Sequence, residues 1–302
     1  MTARKHTVVG LGELLWDVFP EGKQLGGAPA NFAYMTALLG DRGVVASRVG
    51  TDRLGQEALW QLASSGLDIS SVQQDMQHAT GTVRVELDSR GQAEYRFVQD
   101  VAWDHLQWTP EWKELAESAD AVCFGSLAQR SEESRETIRK FLGAMRPGAV
   151  RIFDVNLRQS FFSAKVLRES AEQADVLKLN HEEAPRVLEC LGQRFESDLG
   201  AAHWFGKQFG IRIVCVTRGP KGSLLATATE QDEHAGFSVK VADTVGAGDA
   251  FTAALLHHAL RGGSLHEMNE AANRMGAWVA SQDGAMPEGQ EEVLEQIRAG
   301  ED

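Results

Sequence analysis

The chain has 302 residues, 43% hydrophobic and 24% charged, a globular composition that can bury a large core and contains no low-complexity tract. Its formal charge of −13, with the 30 basic residues scattered along the chain, excludes a phosphate-backbone footprint, so no nucleic-acid partner is expected. Cys123, Cys190 and Cys215 are far apart in sequence, and apolar neighbours such as Val122, Phe124, Val214 and Val216 predict buried free thiols.

The nine histidines show no metal-ligand spacing with these cysteines, and His257 and His258 read as satisfied core groups, so zinc is not expected. Arg4, Lys5 and His6 precede an apolar run, as in a signal peptide, but Glu13 and Asp17 interrupt it. The run reads instead as a buried first strand. No apolar span approaches transmembrane length, so a cytoplasmic location and no membrane partner are expected.

Residues 6–12 form that strand. Gly10-Leu11-Gly12 lacks the third glycine of a dinucleotide fingerprint, because Leu15 stands in its place, and no helix opens there. A dehydrogenase is a poor reading for that reason. The chain continues through Glu13 to Asp17 and turns at Phe19-Pro20-Glu21-Gly22. Gly26-Gly27-Ala28-Pro29-Ala30-Asn31 then leads into a helix with Pro29 at its start and Gly40 at its end. The two glycines permit a ligand's close approach and Asn31 offers it a donor and an acceptor; a glycine turn with a first-turn Asn explains them equally well.

Residues 44–49 are expected as a strand and 56–64 as a helix. From Thr82 to Val98 the apolar period becomes two, with Val83, Val85 and Leu87 on one arm and Ala93, Tyr95 and Phe97 on the other, around Ser89-Arg90-Gly91. This predicts a hairpin with one apolar face, standing off the main sheet as a flap or subunit contact. Trp103 beyond it either closes over a ligand or belongs to the core or an interface.

Strands at 121–125, 150–155, 176–179 and 211–217 alternate with helices at 132–145, 164–173, 182–191 and 201–209. That alternation predicts an α/β fold with a central, mostly parallel sheet covered by helices on both faces. Ligands in such sheets sit beyond the carboxyl ends of the strands, where three polar clusters fall. They are Asp154-Val155-Asn156-Leu157-Arg158, Asn180-His181-Glu182-Glu183 and Thr217-Arg218-Gly219-Pro220-Lys221-Gly222. Each also has a structural explanation: Asn180 with Glu183 has the form of a helix-capping pair, and the others have turn formers.

Strands at 223–227 and 236–241 lead into Asp243-Thr244-Val245-Gly246-Ala247-Gly248-Asp249, followed by a helix over 250–260 that is apolar on nearly every side and so belongs inside. The N-terminus of that helix, with small residues around it, makes an anion cradle of unpaired N–H groups. Asp249 at its edge either takes a proton from an incoming nucleophile or merely complements the helix dipole. Ser264-Leu265-His266-Glu267 is a capping box opening another helix, whose Asn273, Gly276 and Ala277 suit either a flat ring or helix packing. Asp283 to Pro287 ends it, and 291–298 is a surface helix.

Taken together, these residues resemble the ribokinase-like sugar kinases, the phosphofructokinase-B type family. The glycine-asparagine block from Gly26 through Asn31, Gly40 and Gly50 matches one signature and Asp243 to Leu256 the other. Between them, in order, stand Asn180 and Glu183 as the family's asparagine-x-x-glutamate, and Thr217, Gly219 and Gly222 as its threonine-x-glycine turn. The resemblance runs from about His6 to Pro287 as a single domain over 1–302, with a small β-sheet lid from about 13–24 and 80–105.

The resemblance implies phosphoryl transfer from ATP to a sugar hydroxyl. Asp249 would accept the hydroxyl proton while N–H groups of Ala247, Gly248 and Asp249, in the nest begun by Gly246, stabilise the transferring group. Asp17, Gly27 and Asn31 would hold the sugar, with Trp103 near it, and Arg158 would hold the sugar, a substrate carboxylate or the γ-phosphate. Glu183 with Asn180 would organise Mg²⁺ through water, Thr217, Gly219 and Gly222 would touch the nucleotide phosphates, and Asn273 and Gly276 would lie near adenine. Asp243 and Val245, with carbonyls near Val279, Gln282 and Gly284, match the family's monovalent-cation site, K⁺ being the candidate ion. The lid implies a homodimer. Gly12-Glu13-Leu14-Leu15-Trp16-Asp17 and the cluster ending at Arg158 look like fructokinases and ketodeoxygluconate kinases, and Val101-Ala102-Trp103-Asp104 lacks an arginine-rich pattern opposite a sugar acid. Fructose is the expected sugar. The alternatives are 2-keto-3-deoxygluconate or another sugar and, from another class, a non-catalytic sugar or nucleotide sensor.

Overall fold

A computed structural model of the chain describes residues 4–19, 22–87 and 93–299. Its strands in chain order are β1 (Thr7–Leu11), β2 (Leu15–Phe19), β3 (Gly22–Gly26), β4 (Arg42–Gly50), β5 (Val72–Asp75), β6 (Gly81–Leu87), β7 (Ala93–Phe97), β8 (Ala121–Phe124), β9 (Val150–Asp154), β10 (Val176–Asn180), β11 (Ile213–Thr217), β12 (Ser223–Ala226) and β13 (Gln231–His234). Nine of them form one sheet in the order β13-β12-β11-β10-β9-β8-β1-β4-β5. Every pairing from β11 across to β5 is parallel, and β12 and β13 close the far edge antiparallel. The other four form a small sheet in the order β3-β2-β6-β7.

Successive residues of the parallel strands enter opposite cores, as the two-residue strand period requires. Val9, Leu11, Val122, Phe124, Phe153, Leu177 and Val214 pack in one cluster, while Val8, Val45, Cys123, Ile152, Val176 and Cys215 pack in the other. The first cluster is covered by α3 (Pro110–Ser118), α4 (Glu132–Ala144), α5 (Ala164–Gln173), α6 (Glu183–Cys190) and α7 (Asp198–Phe209). The second is covered by α1 (Ala28–Leu38), α2 (Arg53–Ser64), α8 (Ala247–Ala259), α9 (Leu265–Ala280) and α10 (Glu291–Ala299). Helix α8 is buried almost throughout; Phe251, Leu255 and Leu256 each contribute roughly 1.5–3 kcal/mol by leaving water.

Small residues set how closely helices meet the sheet. A Cβ on Gly10 would stand 2.0 Å from the Pro29 carbonyl oxygen, so the glycines at the end of β1 serve the close seating of α1. His257 and His258 are satisfied core groups: His257 Nδ1 lies 2.9 Å from Asp41 and His258 Nε2 donates to the Ile297 carbonyl at 2.7 Å. Cys123 and Cys215 are buried, but Cys190, on the last turn of α6, is half-buried.

Several elements differ from the sequence expectation. Residues 236–241 are not a strand; Thr227 Oγ1 accepts N–H bonds from Thr229 and Glu230, the chain turns there, and β13 pairs with β12 directly. Its sequence Gln-Asp-Glu-His has no apolar period to announce it. β5 and α3 were likewise unexpected, whereas β2 and β3 fall in the lid segment of about 13–24 that the resemblance implies. The hairpin arms β6 and β7 pair with Val83 opposite Phe97, Val85 opposite Tyr95 and Leu87 opposite Ala93. That register pairs the two arms along the backbone as the sequence expectation requires. The Ser89-Arg90-Gly91 turn, and Pro20-Glu21 of the earlier one, lie outside the described residues. Among the described residues no helix is long and apolar enough to cross a membrane.

Candidate active site

The carboxyl ends of β9, β10 and β11 meet the start of α8 and the underside of the small sheet around a cavity of about 580 Å³. Its walls bring together Asp17, Gly27 and Asn31, then Asp154, Asn156 and Arg158, then Asn180, Glu183 and Thr217, and finally Val245, Gly246, Gly248 and Asp249. Val83 and Phe97 of the small sheet close the top. Three polar clusters distant in sequence thus share one rim with the opening turn of α8.

That turn is built by Gly246, which caps α8 at φ 78° in the left-handed region; a Cβ there would also stand 2.7 Å from that of Ala285. The Ala247 N–H is spent on the Thr244 carbonyl at 3.3 Å, which corrects the expectation that it joins the nest. The N–H groups of Gly248 and Asp249 have no carbonyl within the helix, so they present the positive end of α8 to the cavity. Asp249 is half-buried and its Oδ2 accepts a 2.8 Å bond from Asn31 Nδ2 across the cleft. Burial pushes its carboxyl up to about 6, with Asp154 adding to the rise and the Asn31 bond, Lys178 and Arg158 opposing it.

Beneath the nest lies a buried ion pair. Lys178 Nζ donates to Asp154 Oδ2 at 2.7 Å, and Thr252 Oγ1 donates to the same oxygen at 3.0 Å. The ammonium stands 3.3 Å from where a Gly248 Cβ would be, directly under the anion cradle. Burial alone would lower the Lys178 pKa, but Asp154 outweighs it and holds the lysine charged. Neither this lysine nor Glu13 was singled out from the sequence as a site residue, yet both line the cavity. The available signal was the oddity of one charged residue within an apolar run.

Glu13 is 3% exposed and its Oε2 has no partner. Burial raises its carboxyl to about 7, with Asp249 adding to the rise and Arg158 opposing it. Asp17 is raised to about 6, again by burial, against the pull of Arg158. A folded-state pKa above the unfolded value stabilises the fold at low pH, and that stability is lost as pH rises through the folded pKa. Glu13→Gln should therefore match the wild type in urea unfolding below pH 4 and exceed it at pH 8, by about 3 kcal/mol at the scale of 1.36 kcal/mol per unit. Equal stabilities at pH 8 would show Glu13 to be solvated.

Glu183 combines the two roles left open for it. Oε1 accepts from Leu157 N at 2.7 Å and Oε2 from Asn180 N at 2.8 Å, while Asn180 Oδ1 accepts from Glu183 N at 2.9 Å. The pair therefore caps α6 as its sequence form implies, with the carboxylate still on the cavity wall. Burial raises the Glu183 carboxyl, and Asp154 adds to the rise.

Other residues lie elsewhere. Trp103 is 1% exposed in the core, with Gly81 against its indole nitrogen and the Arg130 guanidinium 3.9 Å from its ring centre, so it does not cover a ligand. Its short helical turn, Ala102–His105, packs against β4 and α4, and none of its residues lines the cavity. Asn273 is buried, with its amide nitrogen committed to Ser223 Oγ and to Asn269, which corrects its placement beside adenine. Gly276 gives α9 its close contact with α8, 3.2 Å from its would-be Cβ to the Ala247 carbonyl. Gly219 and Gly222 shape the turn joining β11 to β12, where Arg218 N–H donates to the Gly222 carbonyl at 2.7 Å. Asp243 Oδ1 accepts from Val245 N–H at 3.0 Å, and the Val279 carbonyl accepts from Gln282 N–H. Gly284 lies in the loop after α9.

Comparison with known proteins identifies the family. The model of the pfkB family of carbohydrate kinases matches residues 7–292. The fructokinase of Escherichia coli is 32% identical over 91% of this chain and 94% of its own length. A sugar kinase of Pyrococcus horikoshii solved in complex with ATP is 28% identical, with TM-score 0.81, over 97% of this chain and 99% of that one. A double-mutant fructokinase of Vibrio cholerae in its fructose-, ADP- and potassium-bound form is 27% identical, with TM-score 0.80, over 97% and 98%. The chain belongs to the pfkB family of carbohydrate kinases and is an ATP-dependent sugar kinase.

Proposed function

We propose that the chain is a fructokinase in which Asp249 is the catalytic base. The sugar hydroxyl, attacking the γ-phosphorus of ATP, gives its proton to Asp249; a new O–P bond forms, the bond to the bridging oxygen breaks, and ADP leaves. The free N–H groups of Gly248 and Asp249, with the Lys178 ammonium behind them, stabilise the charge on the moving phosphoryl group. Asp17, Gly27 and Asn31 hold the sugar, and exposed Arg158 reaches either substrate. Thr217, with Asn180 and the Gly219–Gly222 turn beyond it, faces the nucleotide phosphates.

Two ions belong to the same reading. Mg²⁺ would be held through water at Glu183, whose carboxylate keeps a place on the cavity wall while bonded to the backbone. It would supply positive charge to neutralise the ATP phosphates. A monovalent ion such as K⁺ suits Asp243, whose Oδ2 carries no bond among the described residues. Edge strands β3 and β7 each have an unpaired outer edge among the described residues and offer the surface for a homodimer. A cytoplasmic setting follows from the use of ATP.

The observation that favours fructose over a sugar acid is charge. Acidic groups outnumber basic ones on the cavity wall, Glu13, Asp17, Asp154, Glu183 and Asp249 against Arg158 and Lys178, which favours a neutral ketose over a substrate that carries a carboxylate. The named fructokinase relatives support the same choice. A sugar panel read by ADP release should give fructose a kcat/KM at least tenfold above 2-keto-3-deoxygluconate, a difference of about 1.4 kcal/mol. The reverse order would overturn the assignment.

A further inference from the structure

A second cluster lies away from the cavity, where the two legs of the small sheet join the body. His78 precedes β6, Asp100 follows β7, and His105 ends the short turn beyond it. One ligand atom from each lies within 4.8 Å of the others, the only such histidine and carboxylate group among the described residues. Both Nε2 atoms face Asp100 Oδ1, at 2.9 Å from His105 and 3.8 Å from His78.

The far side of each ring is already held. Asp75 Oδ2 lies 2.9 Å from His78 Nδ1, and Glu133 Oε2 lies 2.8 Å from His105 Nδ1. Asp75 is 2% exposed and fixed in turn by Arg48 and by the N–H groups of Gln77 and His78. A carboxylate on Nδ1 favours the proton there, the arrangement found behind metal-bound histidines, and a bound cation would replace the bond that His105 Nε2 now makes to Asp100 Oδ1. The rings stack at 3.6 Å and 14°, which sets the two imidazoles side by side at Asp100. Asp100 is 79% exposed on its side chain, so the way in from solvent is open.

We propose that His78, His105 and Asp100 bind a divalent first-row cation of the Zn²⁺ type, which ties together the two legs of the small sheet. Two imidazole nitrogens and one carboxylate oxygen suit that ion class rather than Mg²⁺. Water completes the coordination. Both ring planes must contain the ion, so loading splays the stack. The role is structural, since none of the three residues lines the cavity. Sequence spacing with the cysteines gives no hint of it, because the donors come from opposite legs of a hairpin.

Co²⁺ titration in saturating Mg²⁺, which occupies oxygen-rich sites, is the test. The chelator-treated protein should bind one Co²⁺ per chain with a visible ligand-field band, and Zn²⁺ should displace it. Asp100→Asn, a change at an exposed side chain, should weaken binding about 100-fold with kcat unchanged, and Glu133→Gln, behind the ring, about tenfold. Circular dichroism of each variant separates lost ligation from lost folding. Absence of saturable Co²⁺ binding to the wild type at micromolar concentration, or equal affinity in both variants, would overturn the site.

Discussion

Asp249→Asn should lower kcat by about 10² or more, roughly 2.7 kcal/mol in barrier height, while ATP affinity is retained. The substitution is nearly isosteric, and its amide oxygen can still accept the Asn31 bond now made at 2.8 Å, so the cleft keeps its shape. The nest is backbone and is untouched. Only the proton acceptor is lost. In the wild type, kcat/KM should rise with pH through about 6, as the buried carboxylate loses its proton and becomes competent. Asp17 at about 6 and Glu13 at about 7 titrate in the same cavity, so the acid limb belongs to the group of three rather than to one residue. Comparison with the Asn variant isolates the share of Asp249. A variant that turns over within about threefold of wild type would assign the proton elsewhere.

What could be read in the chain depended on whether a signal was local. Strands β9, β10 and β11 are buried on both faces, so short apolar runs between turn residues announced them. Asp249 was equally visible, because Gly-Ala-Gly before an apolar helix is a contiguous pattern. The partners of these residues were not visible. Asn31 meets Asp249 across 218 positions, and nothing short of the fold joins them. β2, Leu-Trp-Asp-Val-Phe, is apolar at four of its five positions, and β3 opens with exposed Gly22, Lys23 and Gln24, so neither carries an alternating apolar period. Trp103 could be named as aromatic and important but not placed, since what decides its role is the Arg130 guanidinium from a distant turn. Asn273 failed for a related reason: a polar residue on a helix can serve a ligand or another buried polar group, and Ser223 and Asn269 become its neighbours only in the packed structure.

The same limit hid Lys178, and the consequence for catalysis is testable by separating charge from stability. The Lys178–Asp154 pair is nearly inaccessible, 9% and 8% exposed on the two side chains. Lys178→Met leaves Asp154 buried with only the Thr252 hydroxyl, a loss expected to cost about 3–5 kcal/mol in urea unfolding. Adding Asp154→Leu removes the stranded carboxylate, and most of that stability should return, because an apolar pair of similar size replaces a buried ion pair at little cost. Turnover should not return with it. The ammonium lies under Gly248, where charge on the transferring phosphoryl group develops, and a methionine cannot supply it. If Lys178 only held the strands together, the double variant would recover kcat along with its fold. If its charge serves the reaction, kcat stays depressed by about 10² in a protein as stable as the wild type.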